Sequence, residues 1–464
     1  MTRVVMFVYN DCKRDQRVLR EAGTLASAGY DVTIMARPSD PGATEGDRER
    51  RDGFEIVRVP IPSAWRRRWL WFRYPWRVRG WVKLRASRTF SRLPISFLRA
   101  LEAVLVGLAL LPWAIVRAPF YLLGRALVRS SPPGSSTLDW LVRWRFGILG
   151  WARAAAGVAP AADVWHGHDL TGLPGAVEGQ RRHGGRLVYD SHELFIESGS
   201  NARRPWWGKR FLERLERRST RQADALVTVN RTLADVLCER YGFRKAVVLH
   251  NTPERWSPPT ERPDLLRLAA GIPSDAPIVL YHGGFSADRG LLPLAEAMLS
   301  PGLERAHVVY LGFGDLWNRL VELAAEPRFD GRIHVVPAVP PEELLAWVAS
   351  ADVGVMPNQP ATENERLSTP NKLFESLAAG IPVVVSDFPE RRRIVIDDPD
   401  GPLGAVCDPT DPASIGAAIR SIIELGPEAA ADLRRRCLAA AHSRWNWESE
   451  SRGLLDLYAE LSSA

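Results

Sequence analysis

Cysteine is scarce in this chain of 464 residues, and its four copies lie far apart: Cys12, Cys238, Cys407 and Cys437. No two of them have the spacing of a metal-ligand pair, so the sequence predicts no zinc site and indicates a reducing compartment. A signal peptide is not predicted either, because residues 1–9 have the pattern of a strand rather than a charged region followed by a long apolar core.

Two other features are missing. A Gly-x-Gly-x-x-Gly fingerprint is absent, so a dinucleotide-dependent oxidoreductase has weak support. The uncharged apolar run Ala103–Val116 has 14 residues, whereas a membrane-spanning helix needs about 20. The sequence therefore favours neither of these two classes.

The excess of basic residues is local. Residues 61–130 hold thirteen Arg and one Lys against one acid, Glu102, which gives this segment a net charge of +13. Since the whole chain carries +7, the remainder carries a net −6. Six of the 17 tryptophans lie in the same segment. A basic, tryptophan-rich segment beside an apolar run is typical of a membrane surface, whereas uniform basicity would indicate nucleic-acid binding.

Strand and helix patterns alternate along the rest of the chain. A strand at Val4–Tyr9, a helix at Asp15–Ala28 and a second strand ending at Met35 predict the start of a doubly wound domain. The alternation resumes after residue 150, and Pro253–Pro263 is a candidate linker to a second series. The predicted fold class is α/β, with two Rossmann-like doubly wound domains facing a cleft and an α-helical basic and apolar insertion in the first domain.

The most informative segment begins at Ser368. Ser368 and Thr369 are predicted N-cap residues, Pro370 the first helical residue, and Gly380 the left-handed end of the helix. Free N–H groups at such a helix start bind anions well. Glu375, a little over one turn later, suits the paired hydroxyls of a ribose. The alternative is an ordinary α/β crossover with a solvated Glu375.

This segment resembles the donor-binding signature of retaining glycosyltransferases with the GT-B fold, specifically family four (glycosyl transferases group 1). Glu375 corresponds to the second Glu of the family's Glu-x7-Glu pattern, whereas Leu367 stands where the first Glu is usual. Ser368–Glu375 is similar to a subset that has Ser-x-Pro-Asn-Lys before its Glu. Glu363 and Glu365 lie nearby and are candidates to replace the missing carboxylate.

The resemblance implies a site for a nucleotide diphosphate sugar in the second domain. Arg289, Lys372 and the helix start would meet the charge of the diphosphate, and Glu375 would hold the ribose. Further candidates for donor contacts come from strand-end loops and the helix start: Gly283, Gly284, Phe285, Gly312, Ala338, Val339, Asn371 and Leu373.

The resemblance also implies an acceptor side in the first domain. His192 follows a predicted strand and corresponds to the family's cleft-facing His, which serves the donor sugar or orients the acceptor hydroxyl; a structural hydrogen bond is the alternative. Further acceptor-side candidates come from three loops: Asp15, Arg17, His168, Asp169 and Glu193. Two His and an Asp in His166–Asp169 could suggest a metal, but no further ligand has a suitable spacing.

The implied reaction is transfer of a glycosyl group from a nucleotide diphosphate sugar to a hydroxyl, with retention at the anomeric carbon. The residues predicted to be catalytic are His192, Arg289, Lys372 and Glu375. No cofactor, metal or nucleic-acid partner is expected. The alternatives are a sugar-nucleotide epimerase or hydrolase of the same fold, and a non-catalytic scaffold that binds nucleotide sugars.

The sequence predicts two domains with an insertion, a linker and a terminal helix that packs back on the first domain. The predicted bounds are 1–60 and 151–252 for the N-terminal domain, 61–150 for the insertion, 253–263 for the linker, 264–444 for the C-terminal domain and 445–464 for the terminal helix. Segment 61–130 predicts a cytoplasmic enzyme, peripheral or monotopic on the anionic inner face of the cell membrane, with a glycan or lipid-linked acceptor. An internal helical subdomain and a single membrane span are the alternatives for this segment.

Overall fold

The computed structural model describes residues 1–40, 43, 45–62, 140–141 and 143–463. The predicted membrane-surface segment 61–130 lies outside the described residues, apart from its first two positions. No helix within the described ranges combines the length and apolar character that crossing a membrane requires.

The first domain is built on one twisted sheet. Its strands are β1 Arg3–Phe7, β2 Asp31–Ala36, β3 Asp47–Arg51, β4 Phe54–Arg58, β5 Val164–His168, β6 Arg186–Ser191, β7 Ala225–Thr228 and β8 Ala246–Val248. Their order is β3-β4-β2-β1-β5-β6-β7-β8, parallel throughout except between β3 and β4. The helices are α1 Gln16–Ser27, α2 Leu149–Val158, α3 Asp169–His183, α4 Gly199–Ala202, α5 Trp206–Thr220 and α6 Arg231–Tyr241, with a π-helical turn at Arg143–Ile148.

The second domain repeats this architecture with fewer strands. They are β9 Ile278–Gly284, β10 His307–Phe313, β11 Ile333–Pro337, β12 Val353–Met356, β13 Val383–Ser386 and β14 Gly404–Cys407. Their order is β11-β10-β9-β12-β13-β14, and every pair is parallel. The helices are α7 Leu265–Ala270, α8 Leu291–Ala297, α9 Trp317–Ala324, α10 Leu344–Ala349, α11 Glu363–Leu367, α12 Asn371–Ala378, α13 Pro389–Val395, α14 Pro412–Ile423, α15 Pro427–Ser443 and α16 Trp447–Ser463.

The two sheets confirm the predicted doubly wound fold. In each sheet the strand order reverses beside the strand that comes first in a Rossmann-like unit, between β1 and β5 and between β9 and β12. Crevices at the carboxyl ends of strands beside such reversals are where open α/β sheets bind ligands. Both sheets are covered on their two faces by helices, which explains why strands such as Val383–Ser386 are fully buried.

Helix α12 begins differently from the sequence prediction. Asn371 is its first residue, Pro370 occupies the capping position, and no side chain caps the helix. Thr369 instead accepts a hydrogen bond from Asn230 of the first domain through its Oγ1, at 3.2 Å. The predicted N-cap role of Ser368 and Thr369 is therefore wrong, because an interdomain contact takes the Thr hydroxyl. The left-handed conformation predicted for Gly380 is confirmed, with φ at 70°.

Helix α16 returns to the first domain, as predicted. Trp447 donates from its indole nitrogen to Thr24 Oγ1 of α1 at 2.9 Å. Tyr458 is fully buried beneath the first sheet, and its hydroxyl lies 2.7 Å from Nδ1 of His166. The last helix thus ties the end of the chain to the interior of the first domain.

The end of the predicted insertion packs into the first domain. Trp140 and Trp144 are buried in the hydrophobic cluster that also contains Trp151 of α2 and Phe7 of β1. The rings of Trp140 and Trp144 meet edge to face, with centroids 6.3 Å apart. Within the described residues, the core of this domain therefore reaches back to position 140, ahead of the predicted boundary at 151.

Candidate functional site

Two adjoining cavities lie in the cleft between the domains. The larger cavity, about 710 Å³, is bounded by the ends of β9 and β10 and by the start of α12. The smaller cavity, about 570 Å³, is bounded by the loop after β1 and the start of α1. Four residues line both cavities: His192, Ser368, Thr369 and Asn371. Ligands in the two cavities would therefore meet at His192 and at the helix start.

The structure brings most of the predicted donor-side residues to the larger cavity. Those that line it are Gly283, Gly284, Phe285, Arg289, Gly312, Ala338, Val339, Asn371, Lys372 and Glu375. They come from four separate loops, whose strand ends meet at one edge of the sheet because the strands are parallel.

Lys372 lies over the glycine turn at the end of β9. Its Nζ is 3.1 Å from the Tyr281 hydroxyl and 4.5 Å from the centroid of that ring. A Cβ on Gly283 would be 3.4 Å from Lys372 Cε, and Gly283 has φ at 109°, which favours glycine. Burial and the guanidinium of Arg289 lower the pKa of Lys372 to about 7. The ammonium thus sits in a desolvated place where an anionic ligand would stabilise its charge.

Arg289 pairs with Glu365, one of the two carboxylates predicted as replacements for the Glu that is missing at Leu367. The Nη1 of Arg289 is 3.3 Å from Glu365 Oε2, which also accepts from Asn358 Nδ2 at 3.2 Å. Glu363 is exposed and lies 3.8 Å from Arg366. Of the two candidate replacements for the missing carboxylate, Glu365 is therefore the one brought next to Arg289.

Leu367 itself has a structural place in the cleft wall. Its side chain packs, partly buried, against the hydrophobic core of the first domain. Its carbonyl accepts from Asn230 Nδ2 at 2.9 Å. A charged Glu would be costly against that apolar surface, which gives a physical reason for Leu at this position.

Glu375 is held by a histidine that the sequence did not single out. His282, at the end of β9, lies with Nε2 2.9 Å from Glu375 Oε2. Although burial opposes ionisation, this hydrogen bond lowers the pKa of Glu375. The carboxylate is therefore ionised at neutral pH and keeps acceptor capacity for hydroxyl groups in the larger cavity.

Three of the residues predicted to contact the donor differ from that prediction. For one the contact is limited to the backbone, for another it is excluded, and the third also has a steric role. The ring of Phe285 is 1% exposed and packs in the core, so only its backbone can face the cavity. Leu373 is fully buried, and its N–H donates to Pro370 at 3.0 Å, so the prediction of a donor contact for Leu373 is wrong. Gly312 has a steric role as well, because a Cβ there would lie 1.9 Å from the carbonyl oxygen of Gly283.

His192 is held between two carboxylates. Its Nδ1 is 3.3 Å from Asp169 Oδ2, and its Nε2 is 3.1 Å from Asp190 Oδ2. Although burial opposes it, Asp169 and Asp190 raise the pKa of His192 to about 10. His192 is therefore an imidazolium at neutral pH, and it can donate hydrogen bonds but cannot accept a proton. With a side chain 20% exposed, it still borders both cavities.

Asp190 is the centre of a buried polar cluster. Arg17 donates to both of its carboxylate oxygens, at 3.2 and 2.9 Å, and also lies 3.0 Å from Glu21 Oε1. Although burial opposes ionisation, Arg17 and His192 hold the pKa of Asp190 well below its usual range. Burial and the charge of Asp190 raise the pKa of Glu21 well above its usual range. Neither Asp190 nor Glu21 was singled out from the sequence.

The same cluster contains a set of donor atoms that sequence spacing did not predict. Glu21, His166, His168 and Asp190 each place one ligand-type atom within 4.8 Å of the others. The guanidinium of Arg17 already provides a cation between Glu21 and Asp190. A metal ion there would compete with that guanidinium for the same two carboxylates.

The predicted acceptor-side residues fall into three groups. Asp15 and Arg17 line the smaller cavity, and Asp15 also caps α1 by accepting from the N–H of Val18. Glu193 lines the larger cavity instead, and burial raises its pKa to about 7. His168 and Asp169 border neither cavity and act behind His192. The smaller cavity also includes Asn10, Asp11, Arg14 and Gln16, of which the sequence analysis had named none individually.

Comparison with known proteins agrees with this geometry. Residues 15–252, just over half of the chain, match the glycosyl transferase 4-like domain, and residues 276–424 match the glycosyl transferases group 1 domain. D-inositol 3-phosphate glycosyltransferase of Xylanimonas cellulosilytica is 29% identical over 255 residues, which are 51% of this chain and 57% of that protein. The chain thus spans a little over half the length of this curated relative.

Solved structures share the fold over the whole chain. Sucrose-phosphate synthase from Thermosynechococcus elongatus has a TM-score of 0.66 and 16% identity, with all of both chains covered. Anabaena Alr3699/HepE, in complex with UDP-glucose, has a TM-score of 0.62 and 12% identity, covering 99% of this chain and all of the other. With two doubly wound domains around one cleft and both domain models matched in order, the chain belongs to the group 1, family four glycosyltransferases of the GT-B fold.

Proposed function

We propose that this glycosyltransferase moves a sugar from a nucleotide diphosphate sugar to an acceptor hydroxyl, with retention of the anomeric configuration. The observation that carries the proposal is the meeting of two cavities at His192 and the start of α12. The larger cavity has cationic groups placed for a diphosphate, and the smaller one has polar walls suited to hydroxyl groups. The UDP-glucose complex of a protein with the same fold supports this assignment of the donor class.

The diphosphate would be bound without a metal ion. Lys372 and Arg289 both line the larger cavity, and the N–H groups of Asn371 and Lys372 belong to the first turn of α12, where a helix leaves its N–H groups without intrahelical partners. A diphosphate would compete with Glu365 for Arg289 and would restore full charge to Lys372. These groups stabilise the negative charge that develops on the leaving phosphate, which is the main requirement of the transfer.

The nucleoside would lie between Glu375 and the loop after β11. Glu375 is ionised and accepts hydrogen bonds from ribose hydroxyls, while His282 fixes its orientation. Ala338 and Val339 line the cavity in that loop. The N–H of Ala338 already donates to Gly312 at 3.1 Å, so this loop would contact the base through its remaining backbone groups.

His192 would donate a hydrogen bond rather than remove a proton. Both ring nitrogens of the imidazolium are paired, with Asp169 and with Asp190, so one N–H would have to leave its carboxylate to reach a sugar oxygen at the junction of the cavities. In the proposed step the bond between C1 and the phosphate oxygen breaks as the acceptor oxygen bonds C1 on the same face. The acceptor proton passes to the leaving phosphate oxygen, so no protein base is needed.

The acceptor is proposed to be a lipid-linked or cell-surface glycan intermediate, met at the inner face of the cell membrane. The support is the basic, tryptophan-rich segment 61–130, which carries a net +13. Basic residues near an anionic lipid surface contribute about 1 kcal/mol each.

The test is binding and turnover of nucleotide sugars. Calorimetry should show that UDP or another nucleoside diphosphate binds, and Glu375→Gln should weaken that affinity about tenfold because an amide is the weaker acceptor for ribose hydroxyls. Proton NMR of the product should show the donor's anomeric configuration, and added chelator should leave turnover unchanged. Free sugar or an epimerised nucleotide without an acceptor would indicate a hydrolase or epimerase instead. Binding without turnover would indicate a scaffold.

A further inference from the structure

Helix α5 carries a row of exposed side chains that the proposed reaction does not use. They recur three or four residues apart and so share one side of the helix: Trp206, Arg210, Arg214, Arg217 and Arg221, here called the α5 stripe. Trp206 is 78% exposed, and the four arginines are exposed as well. A helix of this length gives the stripe an extent of about 22 Å.

The charge of the α5 stripe is hardly neutralised. Among the residues that the structure describes, no carboxylate pairs with Arg210, Arg214 or Arg221. Arg217 lies 3.7 Å from Glu213, a distance at which an exposed pair contributes little. The stripe is therefore an unbalanced positive surface.

The opposite side of α5 is firmly anchored. Leu212 is fully buried, and the buried carboxylate of Glu216 accepts hydrogen bonds from the hydroxyls of Tyr189 and Tyr241, each at 2.6 Å. These contacts fix the rotation of the helix about its axis. The α5 stripe consequently faces outward in a defined direction instead of being a row of mobile arginines on a loose segment.

The α5 stripe lies beside the point where segment 63–139 rejoins the described chain. Trp140 packs against Trp207 and Phe211 of α5, with ring centroids 6.3 and 5.6 Å apart. At the same N-terminal end, residues 193–205, which include the short helix α4, connect α5 to His192. The α5 stripe therefore lies on the helix against which the chain packs as it returns from the basic segment 61–130.

We propose that the α5 stripe binds a membrane surface that contains anionic lipids. Arginines supply attraction to lipid phosphates, and an exposed Trp is the residue that prefers the interface between water and hydrocarbon. A single terminal Trp does not offer the repeated stacking platforms typical of single-stranded nucleic-acid sites. The α5 stripe would add a second membrane-binding surface to segment 61–130. This proposal rests on the proposed function only through the lipid-linked acceptor.

The experiment is co-sedimentation of the full-length chain with vesicles of phosphatidylcholine containing 30 mol% phosphatidylglycerol. Arg210→Glu/Arg214→Glu should lower the vesicle partition coefficient at least about tenfold. The matched control is Arg244→Glu/Arg452→Glu, which makes the same charge change at two exposed arginines, on other elements, that have no ion-pair partner among the described residues. The control should bind as the unmodified chain does, and Trp206→Ala should reduce binding to both charged and neutral vesicles.

Equal loss in the two charge-reversal variants, or loss in neither, would overturn the inference. So would an oligonucleotide that displaces the chain from vesicles and whose binding depends on Arg210 and Arg214. Far-UV circular dichroism and thermal unfolding of each variant serve as the folding check, and Arg210→Gln/Arg214→Gln replaces the reversal if that check fails. Vesicle binding that depends on the α5 stripe, in a protein that binds no nucleotide, would contradict the proposed function but would still support the α5 stripe as a membrane-binding surface.

Discussion

At the scale of single residues, the cleft combines two cations with opposite behaviour. His192 gains a proton because Asp169 and Asp190 flank it, whereas Lys372 tends to lose one because it is buried near Arg289. The first is charged over the whole physiological range, and the second changes charge within it. We therefore expect anion binding in the larger cavity to depend on pH through Lys372 rather than through His192.

We expect the pH dependence of diphosphate binding to report the charge of Lys372. Below pH 7 the side chain is an ammonium, and above it the free protein must take up a proton when the diphosphate binds. Affinity for UDP should therefore fall about tenfold between roughly pH 7.5 and pH 8.5, where the diphosphate is already fully ionised. Lys372→Arg, which stays charged, should give a clearly shallower calorimetric profile, with a remaining slope from Glu193 in the same cavity. An equally steep profile in that variant would contradict the assignment.

Arg289→Ala should lower turnover by about 10²-fold while leaving the fold intact. The guanidinium is partly exposed and pairs with Glu365, which keeps its hydrogen bond from Asn358 when Arg289 is removed. Arg319→Ala is a suitable control, because that arginine lies on α9 away from both cavities. Steady-state kinetics of the two purified variants measure this difference in turnover. Near-normal turnover of Arg289→Ala would show that Arg289 does not take part in the reaction.

At the scale of elements, the shape of the larger cavity depends on how closely β9 and β10 approach each other at their carboxyl ends. Gly283 and Gly312 are register partners, and the space for a Cβ on Gly312 is taken by the Gly283 carbonyl. Since neither residue carries a side chain, the strand ends stay close and the cavity floor stays open. The same pairing explains why a glycine occupies position 312 near the end of β10 without any need for a ligand contact by Gly312 itself.

Gly312→Ala should therefore destabilise the protein by about 2 kcal/mol or more, since the added methyl group forces the paired strands apart. Gly284→Ala is the matched control in the same sheet, because a Cβ there meets nothing within 4 Å and the residue is not in the left-handed region. Urea denaturation measured for both should show a large loss for the first variant and little for the second. Equal stabilities would mean that the strands relax at no cost.

At the scale of the whole molecule, α16 joins the end of the chain to the polar cluster behind His192. Tyr458 contacts His166, whose ring stacks on His168 with centroids 4.4 Å apart, and His168 in turn lies 3.2 Å from Asp190. The cleft histidine is thus supported through a path that begins in the last helix. Both domains contribute to the cleft, but the rigidity of its first-domain wall depends on this crossing.

Tyr458→Phe should lower the free energy of unfolding by about 1–3 kcal/mol, because it leaves Nδ1 of the fully buried His166 without its partner. Tyr30→Phe provides the control, since this ring lies 5.6 Å from Tyr458 and no hydrogen bond of its hydroxyl occurs in the described part of the chain. Chemical denaturation should separate the two variants by at least about 1 kcal/mol. A Tyr458→Phe protein as stable as the Tyr30→Phe protein would show that water or a shift of His166 replaces the contact.

Much of the donor side could be predicted from local sequence, because its residues lie in loops that are each contiguous in the chain. Turn glycines, the start of α12 to within one residue, and the positions of Arg289, Lys372 and Glu375 follow from strand and helix patterns and from the family resemblance. Contacts that depend on distant segments could not be predicted that way. His282 next to Glu375, and Glu365 next to Arg289, required the sheet order to be known.

The sequence by itself determined the two doubly wound domains, the crossing of the terminal helix and half of the larger cavity's lining, because hydrophobic periodicity and turn chemistry act over short stretches. Only the tertiary structure decided the charge of His192, the pairing of Arg17 with Asp190 and Glu21, and the structural place of Leu367. The physical reason is that burial and charge–charge distances set ionisation and packing, and these depend on which distant parts of the chain come together.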